Sequence, residues 1–289
     1  METQKTMNSS NVLHTEELLN AKDGTQLFTQ SWRPAGAARA VVAIVHGLAE
    51  HSSRYQHVAA HLTGRGYVVE TLDLRGHGRS AGPRSYVERF DLYVSDVETM
   101  LHKAAARNAA LPLFLLGHSV GATVATTYAL ANPARLRGLL LSGGYLKVGV
   151  DVSRMLVALS SVLSALAPRL PALKIDSKLL AHDPRVADAY DNDPLVYRGG
   201  LPMRTGAELI SVFKRIMDGA SALQIPLLVM HGADDRLCDP AGSRQLYELA
   251  QSKDKLLKLY AGYLHEIMNE SGRTRVLTDI CDWLDARSA

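Results

Sequence analysis

Residues Leu113–Gly121 read LFLLGHSVG, an apolar run that leads into two glycines placed two residues before and two residues after a serine. A strand that runs into G-x-S-x-G and then into a helix is a nucleophile elbow, whose serine adopts strained backbone angles and projects from the sheet edge. Bulkier residues than glycine would clash in so sharp a turn. The next residues, ATVATTYAL, favour a helix that stops at Asn132-Pro133. Ser119 is therefore a candidate nucleophile, and the alternative is an ordinary strand-to-helix turn in an α/β protein.

The composition is that of an ordinary globular protein. The 289 residues are 47% hydrophobic and 21% charged, with a formal net charge of +3. No basic patch interleaves with aromatic residues, so nothing points to a nucleic-acid partner. The two cysteines, Cys238 and Cys281, are too few for a disulfide framework in a chain of this length. We therefore predict a reducing compartment, the cytoplasm.

Two segments bear on membrane targeting. Residues Met1–Asn20 carry charged side chains and no long apolar stretch, so no signal peptide is predicted. No Asp, Glu, Lys or Arg occurs between Asn108 and Ala134, a length that could suggest a membrane span. Prolines and glycines interrupt this segment at turn positions, so we predict a buried strand followed by a helix and no transmembrane segment.

Short apolar runs alternate with helical stretches along most of the chain, after an opening hairpin of Glu17–Asn20 and Gln26–Arg33. Apolar strands that alternate with helices indicate an α/β protein with a mostly parallel sheet covered on both faces. The further predicted strands are Ala40–Val45, Tyr67–Leu72, Leu113–Leu116, Leu136–Leu141, Pro226–Met230 and Leu256–Tyr260. The predicted helices are 54–64, 91–109, 120–131, 205–222, 240–250 and 273–287.

The alternation stops once, between Tyr145 and about Leu201. The segment 155–166 is rich in Leu, Val, Met and Ala, and prolines cut the remainder into short pieces. Because this insertion follows a strand end, at the rim where open α/β sheets bind ligands, we predict a helical cap over an active site. The alternative is a second helical layer that only packs. The predicted division is a first core part at 1–144, the cap at 145–204 and a second core part at 205–289.

A serine hydroxyl is a weak nucleophile, so Ser119 needs a base, and the base needs an orienting acid. In a sheet of this type they follow the serine along the chain, first the acid and then the histidine. The strand at Pro226–Met230 leads into HGADD, and the last strand is followed by AGYLHE. Asp235 and His265 are therefore predicted to complete a catalytic triad. The neighbouring carboxylates Asp234 and Asp239 compete with Asp235, because spacing alone does not separate them.

The tetrahedral intermediate of such a reaction needs two N–H donors at its developing oxyanion. One is predicted to be the backbone N–H of Val120, which follows the nucleophile at the start of a helix. The second is expected in the loop after Ala40–Val45, which reads HGLAEH. There Gly47 permits the tight backbone, and Leu48 is the predicted donor.

Several histidines near the first helix raise the question of a metal site. His57 and His61 are four residues apart and would share a helix face. No glutamate follows His57 to make H-E-x-x-H, and no third ligand is evident nearby. We therefore predict neither a metal ion nor a cofactor.

At this point four motifs resemble a known family: HGLAEH at 46–51, LRGHGRS at 74–80, GHSVG at 117–121 and HGADDRLCD at 231–239. In this order they are similar to those of the monoacylglycerol lipases of the α/β-hydrolase superfamily, over roughly residues 15–287. The resemblance includes cap segments, IDS at 175–177 and DPL at 193–195. It implies the α/β-hydrolase fold. In that family the acid lies three residues after the loop glycine, which selects Asp235, and the histidine follows 30 positions later, at His265.

The resemblance also implies a polar end of the pocket, where a glycerol group would lie. The matching positions are Glu50, Arg54 and Tyr190, and the alternative is that they are surface residues at the cap rim. The sequence departs from the mammalian pattern at Met268, where a second histidine is expected. Cys238 matches a modifiable cysteine near the acid, although an inert buried thiol is the default interpretation.

The implied activity is that of a serine esterase that cleaves monoacylglycerols to fatty acid and glycerol through an acyl-enzyme. The first alternative is a lysophospholipase or a short-chain carboxylesterase. A serine aminopeptidase is less favoured, and a non-catalytic ligand-binding homologue is the least favoured. A peptidase would need an anionic cluster in the cap. The expected partners are a lipid ester substrate and the surface of a membrane, contacted peripherally by the cap. The acidic cap residues that could serve a peptidase are Asp183, Asp188, Asp191 and Asp193.

Overall fold

A computed structural model gives one large sheet covered by helices, and it describes residues 4–8, 12–147 and 163–288. The strands are β1 (Gln4–Asn8), β2 (Val12–Asn20), β3 (Gln26–Arg33), β4 (Ala40–Val45), β5 (Tyr67–Leu72), β6 (Leu113–His118), β7 (Gly138–Ser142), β8 (Pro171–Leu173), β9 (Leu201–Pro202), β10 (Leu227–Gly232) and β11 (Lys255–Tyr260). The α-helices are α1 (Gln56–Gly64), α2 (Asp91–Arg107), α3 (Val120–Ala131), α4 (Pro184–Asn192), α5 (Met203–Gly219), α6 (Pro240–Leu249) and α7 (Arg273–Asp285). Short 3-10 turns lie at Ser52–Tyr55, Pro133–Arg135, Ser177–Leu179 and Ala220–Ala222.

Nine of the described strands form one sheet in the order β1-β2-β3-β5-β4-β6-β7-β10-β11. The pairs β1-β2, β2-β3 and β3-β5 are antiparallel, and every pair from β5 to β11 is parallel. The predicted mostly parallel α/β sheet is confirmed. Parallel strands bring their carboxyl ends to the same edge, so the loops after β4, β6, β10 and β11 converge there.

Strand β4 shows how the sheet is buried on both faces. Val41, Ala43 and Val45 pack into a cluster with side chains of α2, α3, α5 and α6. Val42 and Ile44 point the other way and pack with side chains of α1 and α7. This alternation follows from the two-residue period of a strand, and burying each Val or Ile contributes about 1.5–3 kcal/mol.

The predicted opening hairpin is confirmed, since β2 pairs with β3 along its whole length. Two features escaped the sequence patterns. β1 adds an edge strand next to β2, and β8 pairs with β9 in a separate two-stranded sheet. Strands of two or three residues are too short for apolar periodicity to reveal.

The predicted cap is described in part. Most of the apolar segment 155–166 lies outside the described residues, which resume at 163. The described remainder contains α4, β8, β9 and one 3-10 turn. Among the described helices, none combines the length and the apolar character needed to span a bilayer.

Candidate active site

Ser119 occupies the sharp turn between β6 and α3. Its backbone angles are φ 54° and ψ −120°, in a region that non-glycine residues rarely adopt. The turn is held by the Ser119 N–H, which donates to the carbonyl oxygen of Ser142 at 2.9 Å. A Cβ on Gly117 would lie 2.3 Å from the carbonyl oxygen of Gly121, and one on Gly121 would lie 2.2 Å from that of Val45. The two glycines are therefore sterically required, as in a nucleophile elbow.

The structure brings Asp235 and His265 together at the same edge of the sheet. His265 Nδ1 lies 2.7 Å from Asp235 Oδ2, and both residues are buried. Of the two competing carboxylates, Asp234 is exposed. Asp239 caps α6 by accepting from the Ala241 N–H at 2.9 Å. Only Asp235 of the three acids is hydrogen-bonded to His265 among the described residues.

Asp235 and His265 shift each other's pKa. Burial would raise the pKa of Asp235, but the charge of His265 and a hydrogen bond from His231 outweigh burial and hold that pKa well below its usual range. Burial would lower the pKa of His265, but the charge of Asp235 raises it above the ordinary histidine value. The pair thus stabilises a protonated imidazole next to an ionised carboxylate.

The thiol of Cys238 lies beside both Ser119 and His265. Cys238 Sγ is 3.9 Å from Ser119 Oγ, and it also hydrogen-bonds the His265 side chain. Within the described part of the chain, Ser119 Oγ forms no direct hydrogen bond with His265, although both line one pocket. Such bonds are often long in the absence of substrate and tighten when it binds. Burial raises the pKa of Cys238, so its thiol stays protonated.

The loop after β4 packs its backbone against the elbow. A Cβ on Gly47 would lie 3.0 Å from the Cβ of Ser119. The hydrogen bonds among described residues leave the N–H groups of Leu48 and Val120 unused. Two free backbone donors therefore flank the serine.

The three predicted substrate contacts, Glu50, Arg54 and Tyr190, are brought together. Arg54 Nη1 lies 2.6 Å from Glu50 Oε2, and the guanidinium lies over the Tyr190 ring at 5.2 Å. The sequence prediction missed Glu266, which binds Arg54 through both carboxylate oxygens at 2.6 and 2.8 Å. Burial would raise the pKa of Glu50, but Arg54 and nearby histidines lower it to about 2. The single guanidinium of Arg54 is therefore shared between two carboxylates.

A pocket joins the serine, the histidine and the polar network. Its polar end is formed by Glu50, Tyr190 and Glu266, and His118 lines it close to His265. Apart from Lys174, its other walls are mainly apolar, with Leu48, Leu173, Ile175, Leu180, Leu201 and Leu237. A molecule with one polar and one apolar end fits such a lining.

The residues whose donor atoms lie closest together are not the histidines considered in the sequence. His57 Nε2 donates to the carbonyl oxygen of Met268 at 2.9 Å, so this nitrogen is not available as a metal ligand. Donor atoms of Asp235, Cys238 and His265 lie within 4.8 Å of one another. They suit a metal poorly, because the Asp235 oxygens already accept N–H groups and the thiol is protonated.

Comparison with known proteins identifies the family. The family model described as serine aminopeptidase, S33, matches residues 36–272. The chain is 39% identical to a monoacylglycerol lipase of Mycolicibacterium smegmatis, over 90% of this chain and 93% of that protein. It is 35% identical to human monoglyceride lipase, over 94% of this chain and 90% of that protein.

A solved structure supports the same assignment. The crystal structure of Paleococcus ferrophilus monoacylglycerol lipase superposes with a TM-score of 0.83 at 28% identity. The match covers 90% of this chain and 99% of that one. The chain therefore belongs to the serine aminopeptidase S33 family and, within the α/β-hydrolase superfamily, to the monoacylglycerol lipase-like serine hydrolases.

Proposed function

We propose that this chain is a serine esterase that hydrolyses monoacylglycerols to fatty acid and glycerol. The observation that carries the proposal is the 2.7 Å hydrogen bond between Asp235 and His265, next to the elbow serine Ser119 in an amphiphilic pocket. The similarity to proteins named monoacylglycerol and monoglyceride lipases supports the choice of substrate.

In the proposed reaction, Ser119 Oγ attacks the ester carbonyl, and His265 takes the hydroxyl proton. His265 then gives that proton to the glycerol oxygen as the C–O bond breaks. Asp235 keeps the ring in the required tautomer and stabilises the imidazolium. Water activated by His265 then attacks the acyl-enzyme, and the fatty acid leaves. The N–H groups of Leu48 and Val120 stabilise the oxyanion of both tetrahedral intermediates.

We propose that Glu50, Arg54 and Tyr190 form the end of the pocket that takes glycerol. A diol needs donors and acceptors, whereas an acyl chain needs only apolar walls. Tyr190 lines the pocket, and its hydroxyl can serve as either donor or acceptor. Arg54 does not line the pocket itself, but it holds the carboxylates of Glu50 and Glu266, which do.

We further propose that residues 145–204 form the cap and that the cap touches a membrane peripherally. Three large apolar side chains in this region are exposed: Leu166 by 79%, Leu170 by 52% and Leu173 by 44%. Exposed apolar side chains grouped in one region are typical of an interaction surface. Both cysteines are unpaired, which supports the proposed cytoplasmic location.

The acidic cap residues do not favour the aminopeptidase alternative. Asp183 caps α4 and binds Arg185, and Asp191 accepts from the Ser177 hydroxyl at 2.8 Å. Asp193 lies 2.8 Å from the ring of the core residue His51. These three carboxylates have partners within the protein and do not line the pocket that contains Ser119.

Labelling with a fluorophosphonate probe tests the nucleophile. The wild-type protein should be labelled, and the Ser119→Ala variant should not be. A matched control is Ser95→Ala, which alters a serine on α2 outside this pocket and should retain labelling. A folded wild type that resists the probe would favour the non-catalytic alternative.

A substrate panel tests the proposed reaction. It should include a monoacylglycerol, lysophosphatidylcholine, a p-nitrophenyl ester and an aminoacyl amide. We expect the highest kcat/KM for the monoacylglycerol. Fastest turnover of the aminoacyl amide overturns the proposal in favour of a peptidase, and fastest turnover of lysophosphatidylcholine overturns the choice of substrate.

A further inference from the structure

A second imidazole contacts the carboxylate of Asp235. His231, near the end of β10, is fully buried, and its Nε2 lies 3.0 Å from Asp235 Oδ2. The same oxygen accepts from His265 Nδ1 at 2.7 Å. The other oxygen accepts the backbone N–H groups of Leu237 and Cys238, at 2.9 and 3.0 Å. The reaction proposed above gives His231 no part, and His231 does not line the pocket.

Ser243 contacts one ring nitrogen of His231, while the carboxylate of Asp235, which can only accept, places the ring hydrogen on the other nitrogen. This buried serine of α6 has its Oγ 2.7 Å from His231 Nδ1. If the hydroxyl donates to Nδ1, the ring hydrogen lies on Nε2, facing Asp235 Oδ2 and the carbonyl oxygen of Cys238 at 3.2 Å. Both ring nitrogens of His231 then have a hydrogen-bond partner.

We propose that His231 is a positioning residue that acts on Asp235 and, through it, on His265; this inference rests on the proposed serine hydrolysis. The His231 Nε2–H fixes the rotation of the carboxylate, so that Oδ2 stays directed at the His265 ring. It also takes up part of the negative charge of Oδ2, which moderates how strongly Asp235 holds a proton on His265.

His265 is the group beside Asp235 whose protonation must change in the proposed reaction. Burial lowers the pKa of His118 to about 4, and burial raises the pKa of the Cys238 thiol. On the far side, Asp239 is paired with Lys147 at 2.7 Å. The acid side of the pH profile of kcat/KM therefore reports the deprotonation of His265.

The test compares wild type with His231→Leu and His231→Gln. Leucine removes the N–H donor, so the charge of Asp235 acts on His265 alone and favours the imidazolium. We expect the midpoint of the acid limb of kcat/KM to rise by about half to one pH unit, and kcat at the plateau to fall about tenfold. Glutamine retains an N–H near the position of Nε2, and it should keep the wild-type midpoint.

Two further variants extend the test and provide a substitute for His231→Leu. Ser243→Ala removes the hydroxyl that contacts Nδ1 and holds the ring of His231 in place, and we expect a shift in the same direction but smaller. If His231→Leu does not fold, His231→Asn replaces it, because the shorter amide does not reach Asp235. An unchanged midpoint in a folded His231→Leu or His231→Asn variant overturns the inference, as does a shifted midpoint in His231→Gln.

The rate of fluorophosphonate labelling across pH separates this inference from the proposed function. Labelling needs an activated Ser119 but no particular substrate. A wild type that is never labelled refutes the proposed function. A labelled wild type whose pH midpoint matches that of His231→Leu refutes only the role of His231.

Discussion

Two buried carboxylates lie on either side of the elbow serine, and their partners differ. β6, which leads to Ser119, pairs with β4, and β4 is followed by Glu50. On the other side of β6, β7 separates it from β10, and β10 is followed by Asp235. Asp235 accepts hydrogen bonds from two imidazoles and two backbone N–H groups. Glu50 Oε1 accepts from the Gly47 N–H at 2.6 Å and from the Tyr55 hydroxyl at 2.7 Å.

This difference assigns distinct tasks to the two sides. In the proposed reaction the Asp235 side controls where protons reside, because its carboxylate contacts His265, the proposed base for Ser119. The Glu50 side controls backbone geometry, because its carboxylate holds Gly47, the residue before the proposed oxyanion donor Leu48. Changes on the first side should alter the pH profile, whereas changes on the second should lower kcat at every pH.

The largest effect is expected for Asp235→Asn. Both oxygens of Asp235 accept hydrogen bonds, whereas an amide has one accepting oxygen and an NH2 group that can only donate. With the NH2 group towards the rings, His265 should shift to the wrong tautomer. We expect a loss on the order of 10⁴ in kcat, with the fold retained. Steady-state kinetics on a monoacylglycerol, with circular dichroism to verify folding, measure this effect.

The matched control for that variant is Asp234→Asn. Asp234 is the exposed neighbour that sequence spacing could not separate from Asp235. It should retain wild-type kcat within about twofold, as expected for a surface change away from the site. A severe loss in Asp234→Asn with an active Asp235→Asn would reverse the assignment of the acid.

The next effect is expected for Glu50→Ala. Without this carboxylate, the Gly47 N–H and the Arg54 guanidinium lose a buried acceptor, and the oxyanion loop is no longer held against Ser119. We expect kcat to fall by about 10²-fold, approaching the loss seen when one oxyanion donor is removed, with little change in the pH midpoint.

A p-nitrophenyl ester without glycerol separates two roles of Glu50. If Glu50 holds the oxyanion loop, kcat falls for both the monoacylglycerol and the p-nitrophenyl ester. If it acts only on glycerol, the p-nitrophenyl ester is cleaved at the wild-type rate. Glu248→Ala, an exposed glutamate on α6, is the control for loss of a carboxylate as such.

The two sides also differ in how far the sequence could predict them. The three predicted triad residues, Ser119, Asp235 and His265, follow the ends of apolar strands. Parallel strands bring these ends to one edge of the sheet, independently of the loop conformations. Their convergence at one edge could therefore be expected from strand patterns alone. The choice between adjacent Asp234 and Asp235 needed the resemblance, because a turn decides which of them points inward.

The polar network could not be predicted in the same way. Arg54 and Glu266 are 212 positions apart, and their contact depends on the path of two loops and not on strand order. The His231–Asp235 contact spans four positions, but in an irregular turn where helical spacing has no meaning. The thiol of Cys238 between Ser119 and His265 depends on the same turn. Loop conformation, which apolar patterns do not encode, limits the prediction in all three cases.

Acid stability provides a third test, on the Glu50 side. The folded-state pKa of Glu50 is about 2, below the ordinary glutamate value of 4.5. A carboxyl group whose pKa is lowered by folding stabilises the folded protein fully at pH values above its unfolded-state pKa. This stabilisation is lost as the pH falls through the folded-state pKa. We expect this part of the free energy of unfolding, up to about 3 kcal/mol, to be lost between about pH 4.5 and pH 2.

Urea denaturation at several pH values measures this loss. Glu50→Gln removes the titrating group, so its free energy of unfolding should depend less on pH than that of wild type across the same window. Equal slopes for the two proteins would show that the Arg54 network does not depend on the ionisation of Glu50.

The smallest effect is expected for Tyr190→Phe. This variant distinguishes residues that position the loop after β4 from residues that contact the substrate. The ring lies over Arg54 at 5.2 Å, and phenylalanine preserves that stacking while it removes only the hydroxyl. The loss of one hydrogen bond to glycerol should raise KM for a monoacylglycerol about threefold to tenfold, as expected for about 0.5–1.5 kcal/mol. KM for a p-nitrophenyl ester should not change, because that substrate has no glycerol. If kcat falls equally for both substrates, Tyr190 belongs with Glu50 among the residues that hold the loop, and the glycerol end of the pocket must be formed by other side chains.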